Sequence, residues 1–289
     1  METPGALRGI GDTPLVRLAR LADPDAAEVW VKCEGANPTG SMKDRMALSM
    51  VEGAERRGDL RPGWRVVEYT GGSTGSALAF VCAAKGYRAH FVSSDAFAEE
   101  KLRTMRAFGA HVEVIPSGDR KITPELIQRI VARARELGAE PETFWTDQFN
   151  NPDNRAGYHG MAEEILAALG GPPDAFVMAA GTGGCFSGNA EVLKAREGGV
   201  RCIAVEPAAS RHLSKGPLGG HRIEGIGPGF VPKGMRMDLV DEVVAVSDAD
   251  AYATARRLAT IEGLFAGISS GANVFCALHV AKDLGPGHR

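Results

Sequence analysis

The chain has 289 residues, with 33 basic against 36 acidic side chains and a formal charge of −3. A hydrophobic share of 44% with 24% charged residues suits a globular protein of one large or two modest domains, and argues against disorder, collagen and coiled coil. The near-neutral balance gives no broad electrostatic reason to bind nucleic acid or an anionic membrane, and no apolar run approaches the roughly 20 residues of a membrane span.

Short apolar runs alternate with stretches of helical period almost from end to end. In chain order the pattern predicts a strand at 28–33 and a helix at 41–57, a strand at 65–69 and a helix at 74–85. A strand at 88–92 leads to a helix at 99–108, and a strand at 111–115 to a helix at 124–137. After a loop-like stretch at 139–146 come a helix at 155–169, a strand at 175–179 and a helix at 187–196. Strands at 201–205 and 242–246 and helices at 249–262 and 271–284 complete the pattern. The near-continuous apolar run 176–180 reads as a strand buried on both faces. Such alternation predicts an α/β protein with mostly parallel sheets, with chain crossings after Gly35 and near 139–146.

The five cysteines are scattered and include no C-x-x-C pair, which points to reduced thiols in a cytoplasm and to no metal site. The seven histidines show no paired ligand spacing, and the N-terminal residues lack the charged and apolar regions of a secretory leader. No G-x-S-x-G elbow is present, and the basic stretch 101–106 reads as a solvated helix face.

Ligands of open α/β sheets sit at the carboxyl ends of strands, so the chemistry is sought in the turns that follow them. Four turns stand out. In Asn37-Pro38-Thr39-Gly40-Ser41-Met42-Lys43-Asp44, Ser41 and Asp44 resemble a capping box, which places Lys43 in a first helical turn. The helix dipole disfavours a cation there, and a neutral amine is what imine chemistry requires. An exposed lysine balanced by Asp44 is the competing reading. Only nine lysines stand against 24 arginines, so the placement is a notable one.

The second turn, Thr70-Gly71-Gly72-Ser73-Thr74-Gly75, offers hydroxyls and close backbone approach to an anion such as a carboxylate, or is simply a capped strand–helix turn. The third, Gly181-Thr182-Gly183-Gly184-Cys185, has the makings of a phosphate cradle without the spacing of a P-loop or a dinucleotide fingerprint, which suggests a small phosphorylated cofactor. Close helix–sheet packing through glycine is its alternative, and Cys185 reads either as a small packing residue or as a thiol beside an anion site. In the fourth, Gly267-Ile268-Ser269-Ser270-Gly271, a serine is either an N-cap or a neutral hydroxyl for a cofactor ring nitrogen.

In order and together, these turns resemble the cysteine synthase (O-acetylserine sulfhydrylase) branch of the fold-type-II pyridoxal-phosphate enzymes. The resemblance covers nearly the whole chain, through residues 11–16, 37–45, 70–75, 148–152, 181–184, 223–227 and 263–272. It implies two three-layer α/β domains of the tryptophan-synthase-β-like kind. The smaller, mobile one would span 35–141 and the larger 1–34 with 142–289, with pyridoxal 5'-phosphate in the cleft between them. Lys43 falls on the position that forms the Schiff base with the cofactor and moves the substrate α-proton. Gly181, Thr182, Gly183, Gly184 and Cys185 match the loop for the cofactor phosphate, and Ser269 the serine facing the pyridine nitrogen. Thr70, Gly71, Gly72, Ser73 and Thr74 match the loop that grips the substrate α-carboxylate, with Gln148 directed at it. Ser73 stands where a residue reaching the cofactor hydroxyl is usual, and Gly225 lies in the segment at the site entrance.

The implied reaction is β-replacement on an O-activated L-serine, provisionally O-acetylserine and sulfide giving L-cysteine and acetate through an α-aminoacrylate. Two departures bear on the substrate: Gly71 and Ser73 replace the serine and asparagine of the usual T-S-G-N-T-G, and Cys185 replaces a threonine. Alternatives are a β-eliminating lyase of the cysteine desulfhydrase kind, a synthase using another nucleophile, and a cofactor-binding regulatory homologue. Retention of Lys43, Gln148, Ser269 and the glycine turn argues against the last. The resemblance also implies a homodimer acting on a small amino acid and a small nucleophile. A serine acetyltransferase partner is compatible with it, although no residue supports one.

Overall fold

The computed structural model describes residues 5–118, 120 and 123–289, so the expectation about the extreme N-terminus falls partly on residues 1–4, outside the described residues. Two short strands come first, β1 (Leu15–Arg17) and β2 (Trp30–Lys32), paired antiparallel. Then follow α1 (Lys43–Arg57), β3 (Arg65–Tyr69), α2 (Ser73–Lys85), β4 (Arg88–Ser94) and α3 (Glu99–Ala107). Next are β5 (His111–Ile115), α4 (Pro124–Gly138), β6 (Thr143–Trp145), α5 (Pro152–Ala156) and α6 (His159–Leu169). The last elements are β7 (Ala175–Ala179), α7 (Gly184–Lys194), β8 (Arg201–Pro207), β9 (Glu242–Val246), α8 (Asp248–Arg257) and α9 (Ile268–Leu284).

The chain forms two compact units. One comprises the chain up to Gly11 together with Glu34–Gly157. Its sheet is fully parallel in the order β5-β4-β3-β6: successive crossovers set β4 beside β3 and β5 beside β4, and the chain then returns through α4 to place β6 on the other side of β3. Side chains alternate across β3, so Val67 faces α4 and packs with Val92, Leu126, Ile130, Ala134 and Leu137. Each large aliphatic group buried there contributes roughly 1.5–3 kcal/mol. Val66 and Glu68, of opposite parity, face the α2 side, and α1 packs outside α2. The stretch 139–146, read from sequence as a loop, contains β6: three residues are too few to show a period, yet Phe144 registers with Val66 and Trp145 with Val67. The compact unit that holds this sheet runs to Gly157.

The other unit comprises Asp12–Cys33 and Tyr158–Arg289. Its parallel sheet has the order β7-β8-β9. From β8, Cys202 and Ala204 pack with Phe186, Ala190 and Leu193 of α7, while Ile203 and Val205 pack with Ala272, Cys276 and Val280 of α9. Helices on both faces of a parallel sheet give the three-layer arrangement expected from the sequence. The fully buried strand is β8; β7 is an edge strand and mostly half-buried, so the apolar run at 176–180 reflects its face contacts and not a central position.

Two predicted helices are divided. The one read over 155–169 separates into α5 and α6 around Gly157, where a Cβ would stand 2.8 Å from the Arg45 carbonyl oxygen on α1. The one read over 249–262 is α8 followed by a π-helical turn, Leu258–Glu262, that ends at Gly263.

Candidate active site

Within the first unit, Lys43 is the first residue of α1 and is half-buried. The segment that delivers it is fastened from behind. Arg45, on the first turn of α1, holds Glu34 with Nε and a terminal nitrogen at 2.7 and 2.8 Å, and Asn37 Nδ2 donates to the same carboxylate at 2.9 Å. The expected capping box does not form. Met42 occupies the cap position, Ser41 Oγ accepts from Lys43 N at 3.2 Å, and the buried Asp44 turns back to accept from Thr39 N at 2.8 Å. Burial pushes the Asp44 carboxyl above its ordinary range, against the hydrogen bonds from Thr39.

Between β3 and α2, the turn is organised by its side chains. Thr70 is buried, and its Oγ1 accepts from Gly72 N at 3.2 Å and Gly75 N at 3.1 Å. Neither Ser73 nor Thr74 caps α2; Gly72 is the cap residue. Thr74 Oγ1 instead donates to Gln148 Oε1 at 2.8 Å, and Gln148 Nε2 donates to the Tyr69 carbonyl at 3.2 Å. Gln148 thus joins the Thr70–Thr74 turn from 74 residues away. Its Nε2 keeps a second N–H for a ligand, since an amide nitrogen carries two donors. The glycine at 71 has a structural reason: a Cβ there would run into the ring of Phe97, and one at Gly75 into Met105 and Thr70. Ser73 is half-buried at the start of α2.

Within the second unit, the turn between β7 and α7 is built from bare backbone. Gly183 is the cap of α7 in the left-handed region, φ 81°, and no side chain caps the helix. Space over the turn is closed to side chains. A Cβ on Gly183 would lie 2.7 Å from the Met235 backbone, and one on Gly181 would strike the Gly225 carbonyl oxygen. The 223–227 segment is held onto the turn by Gly227 N donating to Ala180 O at 3.0 Å, so Gly225 and Gly181 are brought together. Thr182 Oγ1 accepts from Gly184 N at 3.4 Å. Cys185 is buried, with Asn189 Nδ2 reaching its carbonyl at 2.8 Å and its Sγ at 3.6 Å; its thiol faces the next turn of α7.

Ser269 lies in the first turn of α9, half-buried, and is not its cap; Gly267 is. That helix is fixed to the end of β7 by Asn273 Oδ1, which accepts from Ala179 N at 2.8 Å. Gly271 permits its approach to α8, because a Cβ would collide with the Ala251 carbonyl.

Four residues that position these turns were not singled out by sequence: Glu68, Phe97, Met235 and Asn273. Glu68 carries a signal, as a carboxylate within the strand Val66-Val67-Glu68-Tyr69, and Asn273 is an amide in a largely apolar helix. Phe97 and Met235 carry none, since their roles come from long-range packing.

A family model described as pyridoxal-phosphate dependent enzyme matches residues 6–289. A cysteine synthase of Staphylococcus aureus (strain Mu50 / ATCC 700699) is 41% identical over 280 residues, covering 96% of this chain and 88% of that protein. Among solved structures, a hydrogen sulfide-producing enzyme from Fusobacterium nucleatum superposes with a TM-score of 0.91 at 36% identity, covering 98% of this chain and 92% of that one. The cysteine synthase of Entamoeba histolytica does so with a TM-score of 0.89 at 36% identity, covering 96% and 82%.

Proposed function

This chain belongs to the pyridoxal-phosphate dependent enzymes and is of the cysteine synthase type, and from that premise we propose that it converts O-acetyl-L-serine and hydrogen sulfide to L-cysteine and acetic acid. The residues present fit the cofactor. The turn at Gly181, Thr182, Gly183, Gly184 and Cys185 offers main-chain donors at a helix N-terminus whose cap residue is the glycine Gly183, as a phosphate ester requires, and its glycines are needed because the Met235 backbone and the Gly225 carbonyl lie against them. Lys43 would hold the cofactor carbonyl carbon through Nζ, and the Ser269 hydroxyl would face the ring nitrogen without imposing a charge.

Pyridoxal phosphate supplies the electron sink that acidifies an amino acid's α-carbon and lets a β-substituent depart. The protein's part is orientation and proton movement. The Gln148 amide, oriented by Thr74, and the turn around Gly72 would bind the substrate carboxylate, setting the Cα–H toward Lys43. Lys43 Nζ would take that proton once the substrate amine has displaced it. Acetate would leave the β-carbon as that proton is removed, hydrosulfide would then add to the β-carbon in its place, and Lys43 Nζ would return a proton to Cα to give L-cysteine.

The observation that carries this reading is the 2.8 Å hydrogen bond from Thr74 to Gln148, which ties two distant motifs together and orients the Gln148 amide with its second Nε2–H available to a carboxylate. Its test is product analysis of the cofactor-loaded protein. L-Cysteine and acetate in equal amounts from O-acetylserine and sulfide support replacement. Pyruvate and ammonia formed without added sulfide favour β-elimination, the reading to which the hydrogen sulfide-producing neighbour lends weight.

We also read the protein as a homodimer in the cytoplasm, on the family resemblance and its scattered cysteines. Among the described residues no helix is long and apolar enough to cross a membrane. Light scattering of the purified protein tests the dimer.

A further inference from the structure

Behind the carboxylate turn lies a fully buried acid, Glu68, on the α2 side of β3. Its Oε2 accepts from Thr146 Oγ1 at 2.5 Å and Gln148 N at 3.0 Å, and its Oε1 accepts from Tyr69 N at 2.9 Å. Gln148 Nε2 in turn donates to the Tyr69 carbonyl at 3.2 Å. These bonds close a ring in which one carboxylate holds both the backbone amide of Gln148 and that of Tyr69, the residue whose carbonyl the Gln148 side chain rests on.

We propose that Glu68 is the positioning residue for substrate-carboxylate recognition, acting through Gln148 by clamping Tyr69, Thr146 and Gln148 around the turn at Thr74. The inference rests on the reading of Thr70–Thr74 and Gln148 as the carboxylate site. Tyr69 N and Gln148 N can only donate, and the ionised acid accepts from both and from the Thr146 hydroxyl; a protonated one reverses the Thr146 bond, turning that hydroxyl toward the Val67 carbonyl 3.4 Å away. Burial pushes the Glu68 carboxyl up to about 7, with the charge of Asp147 adding to the rise and the three hydrogen bonds opposing it. The titratable neighbours that act on this group are Asp147 and Tyr69. Protonation on acidification through neutral pH therefore loosens the ring and weakens binding of the substrate carboxylate, while the cofactor phosphate turn, in the other unit, is untouched.

The experiment is a titration of the purified, cofactor-loaded protein with O-acetyl-L-serine and, separately, L-cysteine, read as the change in the cofactor's visible band. The wild type is compared with Glu68→Gln, Glu68→Asp, Gln148→Ala and the Glu68→Gln/Gln148→Ala pair across about pH 6 to 8. Loss of one charge-assisted hydrogen bond predicts that Glu68→Gln weakens amino-acid binding about tenfold at the alkaline end, with cofactor content unchanged and the weakening toward acid pH abolished. Glu68→Asp restores part of the affinity, and the double variant binds no more weakly than Gln148→Ala alone. Additive losses in the double variant, or a Glu68→Gln protein that titrates like wild type, overturn the proposal while leaving the proposed function standing. Should Glu68→Gln not fold, a wild-type affinity independent of pH over that range overturns it equally. A wild type with no cofactor band, or one unresponsive to both amino acids, overturns the proposed function itself and the positioning role with it.

Discussion

The turn after β3 and the turn after β7 share one design, a parallel strand running through glycines into a helix, but they treat their own backbone in opposite ways. In the first, Thr70 Oγ1 takes up the amides of Gly72 and Gly75, and Thr74 and Gln148 present side-chain groups in their place. In the second, the cap residue is Gly183, Thr182 Oγ1 takes the Gly184 amide only at 3.4 Å, and the glycines are pressed against Met235 and Gly225 so closely that only backbone fits. The difference teaches what each turn can read. Side-chain hydroxyl and amide groups have direction and suit a planar carboxylate that must be oriented for chemistry. Converging main-chain donors at a helix N-terminus suit a compact phosphate held as an anchor.

That contrast breaks most easily at Gly183. Gly183→Ala puts a Cβ 2.7 Å from the Met235 backbone at a position with φ 81°, so both overpacking and left-handed strain act. The expected loss is about 2–4 kcal/mol in stability with cofactor retention down at least tenfold, read by thermal unfolding and by absorbance after dialysis. A stable, cofactor-replete Gly183→Ala protein removes the distinction between the turns.

The buried acid beneath the first turn sharpens it next. Because the folded-state pKa of Glu68 is raised from 4.5 to about 7, the native state holds its proton more tightly than the unfolded chain between those values. Its contribution to stability is therefore greatest at low pH and falls as pH rises through that window, by up to about 3 kcal/mol. Urea unfolding at the two ends of the window should show this slope in the wild type and its absence in Glu68→Gln. A charge that weakens the fold while holding a binding residue in place is the expected cost of an active site.

A smaller effect is expected at Gly71. Gly71→Ser should destabilise by about 1–3 kcal/mol through collision with Phe97, and Phe97→Leu should recover most of that in the double variant. Strictly additive unfolding energies would mean that Phe97 is not what excludes the serine. Thr74→Val removes one hydroxyl at nearly constant volume and should raise KM for the amino-acid donor roughly tenfold, about 1.4 kcal/mol, with cofactor binding unaltered. An equal effect on cofactor retention would argue that the two turns do not divide their labour.

Much of the architecture was legible because the evidence for it is local. The runs 65–69, 111–115, 175–179 and 242–246 coincide with observed strands, since β-branched residues between turn signals define both ends. What was hidden depends on distant chain. Strand β6 takes its conformation from pairing with β3, and three residues cannot display a period. The break at Gly157 is imposed by the approach to α1, which no local pattern announces. At the site, the turns were readable from their glycines and hydroxyls, whereas their bonding was not. Asp44 answers Thr39 and not Ser41 because burial favours the partner that satisfies its carboxylate. Likewise, nothing near Gly71 in sequence reveals that Phe97 fills the space a serine would need.

The most direct test is the visible absorption spectrum of the purified protein incubated with pyridoxal phosphate, recorded as O-acetylserine and then sulfide are added. The account predicts a cofactor band that shifts with O-acetylserine, returns with sulfide as L-cysteine is released, and is altered in Lys43→Ala. A protein that develops no such band even with excess pyridoxal phosphate would contradict it.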